Sequence, residues 1–138
     1  MQISKKDYFK YEIPEKWIVE DSEEVTSIYC NNGEGALTLS YFSIFEMKET
    51  LDEHISIMAK KFIDANHIKL NRALILDTTQ KGKSMLYGVG STPDQWFIKL
   101  WVVAKFPKVV FATYQSEKKT SEVKTVDKIV SSFTFISD

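Results

Sequence analysis

Hydrophobic and polar positions change period several times along this chain, and each change marks a new element. Over residues 7–13, Phe9, Tyr11 and Ile13 fall on one side of an extended chain and Lys10 and Glu12 on the other. That alternation is the mark of a half-buried strand. Pro14 ends it, and Trp17-Ile18-Val19 begins a second short segment. Glu20 to Glu24 is a charged turn, Val25 to Cys30 a strand, and Asn31-Asn32-Gly33-Glu34-Gly35 a strong turn signal. Ala36 to Phe45 is β-rich and apolar on both faces, which predicts a central strand.

The period then lengthens. Leu51, Ile55, Met58, Ala59 and Phe62 recur at helical spacing, with Glu53, Lys60, Lys61 and Asp64 off the stripe. Thr50 is suited to cap this helix, Glu53 completes a capping box, and Asn66 can end it in a left-handed conformation. Four strand-like runs follow at Ile68–Thr78, Lys83–Ser91, Trp96–Lys105 and Lys108–Gln115. The short connections between them predict antiparallel hairpins. A second helix is expected from about Ser121 to Ser132, capped by Thr120 or Ser121, with Val123, Val126, Ile129, Val130 and Phe133 as its stripe. Phe133 to Ile136 returns to an extended chain. The pattern therefore predicts an α+β protein: an antiparallel β-sheet carrying two amphipathic helices. It does not decide whether the helices share a face of the sheet.

Both ends of the chain resemble a known family. Phe9-Lys10-Tyr11-Glu12-Ile13-Pro14-Glu15-Lys16-Trp17 is similar to the aromatic strand, proline, two residues, tryptophan opening of PsbP-like domains. Ile129-Val130-Ser131-Ser132-Phe133-Thr134-Phe135 is similar to that superfamily's closing helix and Ser-Phe-x-Phe ending. The superfamily includes an extrinsic photosystem II subunit, a Ran-binding nuclear import factor and adaptor chaperones of type VI secretion effectors. The resemblance implies a PsbP-like α/β/α sandwich as one domain over residues 1–138, and a protein that binds other proteins. The matching motifs are structural, so no functional residue is carried over.

Composition narrows the function further. With 138 residues, 43% hydrophobic and 27% charged, the chain is the size of one domain and can bury an ordinary core without a disulfide or metal. A net charge of −1 offers no field for nucleic acid or anionic lipid. Arg72 is the only arginine, which weakens a phosphate-clamping role. Cys30 is the single cysteine and reads as a small buried hydrophobe in a reducing compartment. Met1 to Lys6 shows no apolar signal region, and no apolar run reaches the ~20 residues of a membrane span. A cytoplasmic protein is expected.

Candidate chemistry is sparse. His54 and His67 are 13 residues apart, outside any zinc-binding spacing, so no metal or cofactor is expected. Gly88-Val89-Gly90-Ser91 does not open a helix, and strand glycines more often admit a close neighbour than a phosphate. No nucleophile elbow is present. Asp77 and Asp94 could serve acid–base chemistry only if the fold paired them with other groups. No catalytic residue is assigned.

Two stretches are candidates for partner binding. The turn Glu20, Asp21, Glu23 and Glu24 could meet a basic partner, although such turns are usually only solvated. In Trp96–Lys105, Phe97, Lys99, Trp101 and Lys105 share one strand face, and the lysines among the rings imply partial exposure. That face could be an aromatic, lysine-flanked docking surface, or it could pack under a helix with the lysines reaching out to solvent. The sequence thus predicts a non-catalytic protein-binding domain of adaptor, chaperone or inhibitor type. The alternative is a small-ligand-binding protein or enzyme with a site of scattered side chains.

Overall fold

The computed structural model describes residues 2–6 and 8–136. Chain order is β1 (Gln2–Lys6), β2 (Phe9–Ile13), β3 (Trp17–Asp21), β4 (Val25–Cys30), β5 (Gly35–Ser43), α1 (Leu51–Ala65), β6 (Lys69–Leu70), β7 (Ile75–Asp77), β8 (Ser84–Ser91), β9 (Phe97–Lys105), β10 (Lys108–Ser116), α2 (Glu122–Ser131) and β11 (Thr134–Phe135). The main sheet is antiparallel and runs β3-β4-β5-β10-β9-β8-β6, with β7 also on β8. A second, three-stranded sheet runs β1-β2-β11. The α+β class, the antiparallel sheet and the two amphipathic helices are as expected.

The helices lie on opposite faces of the main sheet, because its two faces feed separate cores. Ile55, Ala59 and Ile63 of α1 pack on Leu86, Ile98, Leu100, Val102, Ala104, Val109 and Phe111. On the other side, Val126, Ile129 and Val130 of α2 share a core with Phe9, Tyr11 and Ile13 of β2, and with Leu37, Leu39, Trp101, Val103, Ala112 and Tyr114 of the main sheet. Ile63 belongs to the α1 stripe and extends the expected one. Phe62, expected in the core, is only partly buried and packs its ring 4.8 Å from that of Phe111.

Capping chemistry sets the helix ends. The Thr50 hydroxyl accepts from the Glu53 amide at 3.2 Å. At the far end the left-handed residue is His67, with φ 52°, while Asn66 keeps φ −103°. Of the two candidate caps for α2, Thr120 acts: its hydroxyl accepts from the Glu122 amide at 3.1 Å, and Ser121 makes no side-chain cap.

Three expectations about strands are corrected. β1 was not anticipated, and Asp7, the first residue of the expected strand 7–13, lies outside the described residues. The Ile68–Thr78 run is two short strands, β6 and β7, pairing with successive halves of β8. The β8 glycines permit this: a Cβ on Gly90 would lie 2.4 Å from the Lys69 carbonyl oxygen, and one on Gly88 2.6 Å from Leu74. β5 sits between β4 and β10 as a central strand should, yet only one of its faces is fully covered.

Burial also marks the chemistry of the second core. It pushes the Tyr11 phenol from its ordinary 10.0 up to about 12. The folded state therefore resists ionisation that the unfolded chain accepts near pH 10. Stability from this group is fully present below pH 10 and drains away as pH rises towards about 12. Urea unfolding at stepped pH should show this loss, which Tyr11→Phe removes; an unchanged alkaline profile in the variant would contradict it.

Candidate functional site

Of the two readings of the Trp96–Lys105 face, docking surface or core beneath a helix, the structure shows the second. Trp101 is 2% exposed and sits in the core beneath α2. Phe97 packs against the same core, its ring 6.4 Å from that of Tyr114. Lys99 is held within the fold: its ammonium lies 2.6 Å from Asp127 Oδ1 on α2, and 5.0 and 5.2 Å from the centres of the Tyr87 and Trp101 rings. The aromatic surface anticipated at Phe97, Lys99 and Trp101 is thus a covered one. Lys105, the last residue of β9, is exposed.

Lys105 stands at one end of the main sheet, where the chain places several unburied rings. The register brings Lys108 opposite both Lys105 and Ser43, so the β9–β10 turn and the segment after β5 adjoin. The Ile44 amide donates to the Pro107 carbonyl at 2.7 Å and buries Ile44. That bond leaves the next ring, Phe45, pointing outward at 95% exposure. Phe106 is 54% exposed and Phe42 46%. Lys108 braces the group, its ammonium 3.2 Å from Ser43 Oγ and 4.7 Å above the Tyr8 ring.

The acidic turn reaches the same end of the sheet, since Val25 pairs with Ser40 and Asp21 with Thr26. Two of its carboxylates are engaged internally. Glu20 accepts from the Tyr29 hydroxyl, and Asp21 accepts from Thr26 and pairs with Lys6 at 3.3 Å. Glu23 and Glu24 are exposed. The end therefore presents three phenylalanines between an acidic hairpin and the lysines Lys105 and Lys108. Phe42, Phe45 and Phe106 were not singled out in the sequence.

Other candidates are structural. The Asp77 carboxylate accepts from the Thr79 hydroxyl at 2.6 Å, from the Thr79 amide at 2.9 Å and from Gln80, and these bonds hold its pKa below the usual range. His54 Nδ1 lies 2.6 Å from Glu49. Among the described residues no three His, Cys, Asp or Glu side chains group as a metal site.

A second feature lies on the α1 face. α1 packs mainly on β8 and β9 and reaches β10 through Phe62 on Phe111, while Phe42 of β5 and Gln115 of β10 stay exposed. Between the helix and the β5–β10 pair runs a groove of about 480 Å³, lined by Phe42, Met58, Phe62 and Phe111 and by Thr38, Ser40, Lys61, Asn66, Thr113 and Gln115.

This order of strands and helices recurs in solved structures. Cyanobacterial PsbP from Synechocystis sp. PCC 6803 superposes with a TM-score of 0.69 at 16% identity, over 97% of this chain and 91% of that one. The fold is PsbP-like. Mog1, solved as an E65A mutant, superposes at 0.61 and 9% identity over 99% and 97% of the two chains. A protein of Bacteroides thetaiotaomicron VPI-5482 does so at 0.66 and 14% identity, covering 95% of this chain. The present chain spans only 46% of the length of that Bacteroides protein. No family model matches the sequence, and no curated protein does. At these identities the likeness establishes the fold alone. Among the described residues no helix is long and apolar enough to cross a membrane.

Proposed function

We propose that this is a non-catalytic protein-binding domain of adaptor, chaperone or inhibitor type, engaging its partner through the end of the sheet that carries Phe42, Phe45 and Phe106. The observation that carries the reading is Phe45, a phenylalanine 95% exposed beside a second at 54%. A large ring held in water contributes almost nothing to the fold, whereas buried in a partner's pocket it is the kind of residue that dominates an interface. Lys105 on one flank, with Glu23 and Glu24 on the other, would form a charged rim. Such rims set orientation and exclude wrong partners more than they add affinity. The PsbP-like fold and the lone thiol of Cys30 are in keeping with a binding protein of the cytoplasm.

Affinity capture from the native cell with wild type and a Phe45→Asp/Phe106→Asp variant tests this. The variant should unfold in urea within about 0.5 kcal/mol of wild type, as surface changes do, and lose the partner that wild type retains. Equal capture by both proteins would contradict the proposal.

The groove beside α1 favours a second reading, a small-ligand site, because it joins apolar and hydrogen-bonding side chains in one cleft.

A further inference from the structure

The α1 groove is graded from one end to the other. Cross-strand register sets Phe42 opposite Val109, Ser40 opposite Phe111 and Thr38 opposite Thr113, with Gln115 beyond. The floor therefore passes from aromatic to hydroxyl to amide. The wall formed by α1 carries Met58 first, then Lys61 beside Phe62, whose ring meets Phe111, and last the capping Asn66. Lys61 is the one formally charged residue of the lining, and no carboxylate lies in it.

Apart from Asn66, whose amide donates to the Phe62 carbonyl at 2.9 Å, the polar side chains here are uncommitted. The hydroxyls of Thr38, Ser40 and Thr113 and the Gln115 amide have no side-chain hydrogen bond among the described residues, and the Lys61 ammonium has no ion pair. This contrasts with Lys6, Lys83, Lys99 and Lys108, each of which donates to a neighbour within the fold.

We infer that the groove binds a free amphiphilic monocarboxylate, with its alkyl or aryl body on Phe42, Met58, Phe62 and Phe111 and its carboxylate facing Lys61 and the threonine hydroxyls. About 480 Å³ is the volume of a small-molecule cleft. The single cation of the lining selects a single negative charge. The apolar end stabilises the body by removing it from water. The hydroxyls of Thr38 and Thr113 supply donors that a carboxylate accepts and an ammonium cannot.

Decanoate is a suitable probe, read by amide chemical shifts of the full chain. It should bind saturably, moving the amides of Thr38, Ser40, Thr113 and Phe62. Decanol and decyltrimethylammonium should bind more weakly by about two- to fivefold. Lys61→Glu should weaken decanoate by a similar factor, and Ser40→Phe, which fills the groove from an open strand face, should abolish binding. Phe45→Asp/Phe106→Asp should leave it intact, so this inference and the protein-binding reading fail separately. No shift at about 1 mM decanoate, or equal binding of all three amphiphiles, would overturn the inference.

Discussion

Trp101→Ala should lower stability by about 3–5 kcal/mol, the cost of removing a large ring from a packed core. The indole is 2% exposed and has α2 above it. Its neighbours cannot close the gap, because Val103 and Ala112 are fixed in the sheet and Tyr114 is tied by its hydroxyl to Glu122 at 2.9 Å. The truncation also takes away one of the two rings beneath the Lys99 ammonium. Lys99 would keep only Asp127 and the Tyr87 ring. Urea denaturation measures the loss, and a value under 1 kcal/mol would mean that the strand is exposed and that its face is again a candidate for docking.

Phe133→Ala is expected to cost a similar amount, about 3–5 kcal/mol, by a different route. Phe133 follows α2 and closes the joint between that helix and the small sheet. Its ring meets Phe9 and Tyr11 edge-on at 5.3 and 5.7 Å. Such edge-to-face pairs contribute beyond the area they bury. The carbonyl of Phe133 also accepts from Lys83, which ties the same point to the start of β8. Losing the ring frees β2 on one side, so hydrogen exchange at Phe9–Ile13 should accelerate more than exchange in β9 or β10. A uniform acceleration in all three strands would show that the small sheet is no separate unit of stability.

These two residues show what the sequence made legible. The stripe ending in Phe133 was readable because a helix repeats its apolar face every three or four residues, so five positions state the same fact. Thr50 was readable as a cap, and Thr120 as one of two candidates with Ser121, because capping chemistry is local. Trp101 was legible only as one of two alternatives, docking surface or core beneath a helix, because strand alternation assigns a face but not what covers it. Lys99 suggested solvent on that face, whereas its partner, Asp127, comes from a helix 28 residues later. β1 escaped notice for a related reason. Its one large apolar residue, Ile3, is exposed, and its order comes from pairing along β2 and from Gln2 donating to the carbonyl of Trp17.

The candidate site was hidden by continuity. Tyr41-Phe42-Ser43-Ile44-Phe45 reads as one apolar run, and nothing in it announces that β5 stops at Ser43. The stop is imposed from the β9–β10 turn, whose Pro107 carbonyl captures the Ile44 amide and turns Phe45 outward. The groove was equally unreadable. Thr38, Ser40 and Thr113 look like ordinary strand residues until the position of α1 shows that they line a cleft beside it.

The claim that the phenylalanine end is the binding surface can be tested at a single side chain. A photo-crosslinking benzoylphenylalanine placed at Phe45 in the native cell should yield a discrete covalent adduct with one partner. The same probe at Lys124, exposed on α2 on the opposite face of the sheet, should yield none. An adduct from Lys124 equal to that from Phe45, or no adduct from Phe45 at all, would contradict the assignment.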